Sequence, residues 1–135
     1  MIVIDASVAV AWSFHDETTP AVEAVLFRVE RDSAIVPINW RLEVANALRT
    51  AMRLGRIDQV DRSAILDDLR ALPIRIDTDS DAHAWSTTLA LSDEHNLTPY
   101  DAAYLELAVR LSLPLATHDK VLAAAGRAQG IAVLT

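Results

Sequence analysis

Short apolar runs alternate along this chain with longer stretches in which apolar residues recur every three or four positions. The opening run, Ile2-Val3-Ile4, predicts a strand over residues 2–5 that is buried on both faces and ends at Asp5. A helix over 7–13 follows, carrying Val8, Ala9, Ala11 and Trp12, and Phe14-His15-Asp16-Glu17 reads as a loop. Thr19 suits an N-cap and Pro20 a first helical position, so the next helix runs from there to about Arg31. Ala34-Ile35-Val36 is a second strand, stopped by Pro37. A long helix over 38–54 places Trp40, Val44, Ala47, Ala51 and Leu54 on one face and stops at Gly55. Asp58 opens another, with Val60, Ala64, Ile65, Leu69 and Leu72. Residues 73–76 make a third strand and residues 80–95 a helix containing Trp85. Thr98-Pro99 opens a helix to about Leu111, residues 115–117 form a fourth strand, 119–128 a helix, and 131–134 a last strand.

This alternation predicts an α/β fold with a central, mostly parallel sheet of about four or five short strands and helices on both faces. The two helices between strands two and three form a helical hairpin near residues 38–72, suited to an interface. The chain of 135 residues reads as one domain over 1–135, with no linker, low-complexity stretch or internal repeat. It has no cysteine, which excludes disulfides and thiolate metal sites. No apolar run reaches membrane-spanning length, and Asp5 interrupts the first one, so no signal peptide or membrane partner is expected and the cytoplasm is the expected location. The net charge of −7 argues against tight, non-specific attraction to nucleic acid. Eleven of the 12 basic residues are arginine, however, whose planar fork suits phosphate or carboxylate recognition.

Four acids stand in unusually apolar or strand-terminal surroundings: Asp5, Glu43, Asp101 and Asp119. In a parallel sheet the carboxyl ends of the strands and the amino ends of the following helices share one edge, where ligands bind. Asp5 ends strand one, Glu43 lies early in the helix after strand two, and Asp119 follows strand four. Asp101 continues the apolar stripe of Leu105 and Ala108, so its charge must be paired, hydrated or metal-bound. Each acid also has a plainer reading. Asp5 and Asp119 can cap helices, Thr98 and Asp101 have a loose capping-box spacing, and Glu43 can face solvent near Arg49 or Arg53. Four caps need not converge, whereas four converging carboxylates repel one another and are relieved by a hard cation such as Mg²⁺. Ser7, Asn46 and Thr117 lie beside them in sequence or on the same helix face as polar supports. With Asp5 given to the site, the cap of the first helix falls to Ser7.

The segments Ile2-Val3-Ile4-Asp5-Ala6-Ser7-Val8, Glu43-Val44-Ala45-Asn46, Asp101-Ala102-Ala103-Tyr104-Leu105-Glu106-Leu107-Ala108 and Leu115-Ala116-Thr117-His118-Asp119 resemble the successive motifs of PIN-domain ribonucleases. Within that family they are most similar to the VapC-type toxins of bacterial and archaeal toxin–antitoxin modules. Each motif is short, but four in order cover essentially the whole chain. The resemblance implies a PIN-like domain and a Mg²⁺- or Mn²⁺-dependent endoribonuclease. It implies a homodimer too, inhibited by a cognate, VapB-like antitoxin whose segment enters the active-site groove. It carries Asp5, Glu43, Asp101 and Asp119 over as the catalytic, metal-holding cluster, with Ser7, Asn46 and Thr117 as polar companions. Lys120 stands where some relatives place a further acid.

Other features carry less. Asp77-Thr78-Asp79-Ser80-Asp81 has the alternation of a calcium loop, but Ala82 and Thr88 replace its glycine and glutamate. The four histidines form no zinc pattern. Arg49, Arg53 and Arg56 recur at helical spacing as a stripe for RNA phosphates or acidic antitoxin residues, or as a solvated face. His118 and Lys120 are further candidates for such contacts. Trp12, Trp40 and Trp85 read as core or interface, and apolar faces near Trp12 and Trp40 suit a dimer. A receiver-like phospho-acceptor domain is excluded because strand one ends in a single acid and Glu43 would have no role. The remaining alternative is a non-catalytic protein-binding module whose acidic edge docks a partner.

Overall fold

The structure, a computed structural model, describes residues 1–134. Its elements are β1 (Ile2–Ile4), α1 (Ala6–Ser13), α2 (Pro20–Asp32), β2 (Ala34–Val36), α3 (Trp40–Arg53), α4 (Gln59–Ala71), β3 (Ile74–Ile76), α5 (Thr87–His95), α6 (Pro99–Leu111), β4 (Leu115–Ala116), α7 (Lys120–Ala128) and β5 (Val133–Leu134). Short 3-10 turns lie at His15–Glu17 and Ser80–His83.

All five strands pair in parallel, in the order β3-β2-β1-β4-β5. Ile2, Val3 and Ile4 are each fully buried. Successive strand residues point to opposite faces, so helices must cover both sides of β1. Helices α1, α2 and α3 pack together, as do α5, α6 and α7, with α6 against β1 and α7 against β4. The chain leaves β1 toward β2 and β3, then returns to the other side of β1 with β4. This reversal makes a switch point, and the crevice beyond the carboxyl ends of β1 and β4 is where such sheets bind ligands.

Local chemistry explains most element ends. Thr19 caps α2 through a bond from Val22 N, with Pro20 in the first turn. Asp58 and Asp61 exchange side-chain and backbone bonds in a complete capping box at the start of α4. Gly55 ends the α3 connection at φ +73°, a conformation that disfavours any side chain.

The structure corrects two expectations. Residues 80–95 are not one helix: the Ser80–His83 turn is followed by an irregular bend, and α5 begins only at Thr87. Ser86, Thr87 and Thr88 have modest helix propensity, and the Ser80 hydroxyl is drawn to Asp77, which ties this segment to the end of β3. Trp85 consequently leaves any helical face and is 94% exposed. Trp40 is buried in the core, one of the two roles read for it. Trp12 is half-buried and donates its indole N–H to Val22 O at 3.0 Å. The expected pair of helices between β2 and β3 is present. However, α4 buries none of its residues completely, and Trp40, Val44, Leu66 and Leu69 line a groove of about 340 Å³ between it and α3. Among the described residues no helix is long and apolar enough to cross a membrane.

Candidate active site

Asp5 is the most constrained acid. It is 4% exposed and stands just past β1, its backbone N–H bonded to Ala116 O of β4. One carboxylate oxygen accepts the Ser7 hydroxyl and the Val8 amide, and the other accepts the Thr117 hydroxyl. Asp5 is therefore the N-cap of α1, and Ser7, inside that helix, is not. Cap and candidate ligand coincide in one residue because each carboxylate oxygen has two acceptor directions. Burial pushes its carboxyl above the usual range, against these donors.

The two hydroxyls expected as polar supports each work in both directions. Ser7 Oγ donates to Asp5 and accepts from His118 N at 3.2 Å. Thr117 Oγ1, fully buried, donates to Asp5 and accepts from Asp119 N at 3.0 Å. Asp5 is thus tied to the loop after β4 by two relays. Asp119 is the N-cap of α7, accepting from Leu122 N at 2.8 Å, and its side chain faces outward beside Lys120.

Glu43 lies in the first turn of α3 and meets α6 across the crevice. Its Oε2 accepts from Tyr104 OH at 2.6 Å and from the Asn39 side-chain amide. The solvent-facing alternative, paired with Arg49 or Arg53, does not occur. Burial raises the Glu43 carboxyl, with the charges of Asp101 and Asp5 adding to it and the bonds from Tyr104 and Asn39 opposing. Asp101 is half-buried in the first turn of α6. Thr98 Oγ1 accepts the Asp101 amide at 3.1 Å, but the return bond that would complete a capping box is not made. Its carboxyl is raised by burial first, then by the charges of Asp119 and Asp5. The capping account covers Asp5 and Asp119; it leaves the carboxylates of Glu43 and Asp101 without a helix to cap.

Glu43 and Asp101 line a cleft of about 920 Å³; Asp5 lies buried beneath its Ser7 wall, and Asp119 lines a separate depression beside His118 and Lys120. The lining of the cleft includes Ser7, Asn39, Glu43, Asn46, Asp101 and His118. Asn46 is exposed on the Glu43 side of α3 and lines this cleft, but makes no side-chain bond among the described residues. His118 and Lys120 are exposed at the rim near Asp119. Arg49 and Arg53 are exposed on α3. Arg56 departs from their stripe because α3 ends at Arg53: it pairs with Asp16 at 3.0 Å and stacks 4.3 Å from the Phe14 ring centre.

Tyr104 and Asn39 were not among the expected site residues. Tyr104 follows Asp101 by three positions, a helical neighbour, but its ring reads as core. Asn39 falls inside the helix expected over 38–54; in the structure it stands just before α3, and its amide goes to Glu43.

Among the described residues no three His, Cys, Asp or Glu side chains stand close enough to chelate an ion as they are. The donor chemistry nevertheless fits a hard cation. All four acids offer oxygen, and three are raised by burial, Glu43 and Asp101 also by one another or by Asp5 and Asp119. Mg²⁺ commonly takes one or two carboxylates directly and fills its remaining positions with water.

Residues 2–128 match the PIN domain family. The chain is 32% identical over 127 residues to ribonuclease VapC12 of Mycobacterium tuberculosis, covering 91% of this chain and 90% of that one. It is 40% identical over 83 residues to ribonuclease VapC1 of the same organism, covering 62% and 60%. The solved structure of PAE2754 from Pyrobaculum aerophilum superposes with a TM-score of 0.68 at 24% identity, covering 92% of this chain and 83% of that one. The chain belongs to the PIN-domain family and is of its VapC ribonuclease type.

Proposed function

We propose that this PIN-domain protein is the toxin of a toxin–antitoxin module, an endoribonuclease that needs Mg²⁺ or Mn²⁺ and is restrained by a cognate VapB-like antitoxin. The relatives named ribonuclease VapC support the activity. The observation that carries the site assignment is electrostatic. Glu43 feels Asp101 and Asp5, and Asp101 feels Asp119 and Asp5, so acids from four separate segments share one field at the switch point.

In this reading Asp5, Glu43, Asp101 and Asp119 hold the ion, directly or through water. When bound, the ion offsets charge on the phosphate oxygens and makes water more acidic. Ser7 and Thr117 fix Asp5 in one orientation. Glu43 or Asp119 accepts a proton from the water whose oxygen bonds to phosphorus, while one P–O bond of the RNA backbone breaks and its oxygen leaves as an alcohol, protonated from solvent. Arg49, Arg53, His118 and Lys120 meet RNA phosphates or antitoxin carboxylates at the rim. The single domain, homodimerisation and action on cytoplasmic RNA belong to the same proposal.

The test is cleavage of total and structured RNA by protein freed of partners, with Mg²⁺ or Mn²⁺ and with EDTA. Metal-dependent cleavage that disappears in Asp5→Asn and Asp101→Asn, with the far-ultraviolet spectrum retained, is the expected result. Unchanged cleavage in both variants overturns the site. No cleavage by the wild type under any metal returns the acidic edge to the role of a docking surface.

A further inference from the structure

We propose that Tyr104 and Asn39 are positioning residues that pin Oε2 of Glu43, so that Oε1 stays free for the divalent ion. This inference rests on the nuclease reading and deepens it.

Three observations converge. Both donors reach the same oxygen, one from α6 and one from the turn before α3, while Oε1 has no partner among the described residues. A carboxylate oxygen only accepts, so the Asn39 atom in contact is its amide nitrogen. That amide stands at an N-cap position yet makes no capping bond; it is spent on Glu43, with a long second contact to Tyr100 O at 3.4 Å. Tyr104 is 1% exposed, so the packing of α6 fixes its ring and aims its hydroxyl at Glu43.

The geometry solves a specific problem. A glutamate has three rotatable side-chain bonds, and two neighbouring carboxylates, Asp101 and Asp5, repel it. Left alone, Glu43 would swing into the 920 Å³ cleft toward solvent. Two donors from different elements remove that freedom and leave Oε1 as the oxygen without a partner among the described residues. Groups that orient metal ligands in this way typically change metal affinity about 10- to 100-fold when removed. Because Tyr104 shares α6 with Asp101, the same bond also couples the two sides of the crevice.

The test is Mn²⁺ binding, measured by titration calorimetry and by the electron paramagnetic resonance of free Mn²⁺, on the full chain. Wild type, Tyr104→Phe, Glu43→Gln and the double variant form a cycle. Tyr104→Phe should weaken Mn²⁺ binding about 10-fold or more, and it should add nothing in the Glu43→Gln background. Asn39→Ala, which removes the half-buried second donor without touching the core, should weaken binding in the same direction and also lose its effect beside Glu43→Gln. Equal losses with and without Glu43 overturn the inference, since they reveal a general packing role. So does wild-type affinity in both Tyr104→Phe and Asn39→Ala while Glu43→Gln binds poorly. Wild-type affinity in Glu43→Gln overturns the assignment of Glu43 itself, and the inference with it.

Discussion

Thr117 donates its hydroxyl to Oδ2 of Asp5, joining two residues 112 positions apart where strands β1 and β4 end. Both are buried, and the same hydroxyl accepts the Asp119 amide. Thr117→Val keeps the shape but orphans a carboxylate oxygen and an N–H. The expected cost is about 1–3 kcal/mol in chemical denaturation, with weaker Mn²⁺ binding. Thr117→Ser keeps the hydroxyl and should retain most of both. Equal stability of the valine and serine variants would contradict this account of the bond.

The metal-free protein should lose stability as pH rises from mildly acidic values. Asp5, Glu43 and Asp101 all have carboxyls raised by burial, the latter two further by neighbouring charge. An acid raised by folding binds protons more readily folded than unfolded. Its favourable contribution is therefore present below the unfolded value and disappears as pH passes the raised one. Thermal melts with EDTA should give a higher Tm near pH 5 than near pH 8. Asp101→Asn should flatten that slope, and saturating Mn²⁺ should reverse it. A wild-type Tm independent of pH over this range would refute the coupling.

Arg110 joins a second buried network, away from the cleft. It bonds Glu106 at 2.6 Å and Asp77 at 2.6 Å, and Ser80 also donates to Asp77. Burial alone would raise Asp77, but Arg110 and Ser80 outweigh it and hold the carboxyl below its usual range. Arg110→Met leaves two buried carboxylates without their cation and should cost about 3–5 kcal/mol. Denaturant titration checks this, and a loss below about 1 kcal/mol would mean the carboxylates find water or protons instead.

Arg49 and Arg53 should separate from Arg56 in RNA binding. The first two are exposed, while Arg56 is committed to Asp16, Glu17 and Phe14. Removing both Arg49 and Arg53 should lower the slope of log affinity against log salt by up to about 1.4, at roughly 0.7 per single-stranded phosphate contact. Arg56→Ala should leave that slope unchanged and cost at most about 1 kcal/mol of stability, as exposed pairs do. Filter binding at several salt concentrations tests both.

The strand and helix pattern was legible because burial on both sheet faces demands continuous apolar runs, as in Ile2-Val3-Ile4. Residues 80–95 misled because an apolar spacing says nothing of a serine hydroxyl drawn away to Asp77. Arg56 misled likewise: helical spacing holds only while the helix lasts, and α3 stops at Arg53.

By itself the sequence determined the parallel α/β plan and which acids end strands or open helices, since these follow from local periodicity and the direction of a parallel sheet. It could not determine what each acid touches. Asp5 serves as both cap and candidate ligand, and Glu43 is held by Tyr104 from 61 positions away. Only the tertiary structure decided those roles, because a hydrogen bond depends on distances of a few ångströms between segments whose separation along the chain carries no such information.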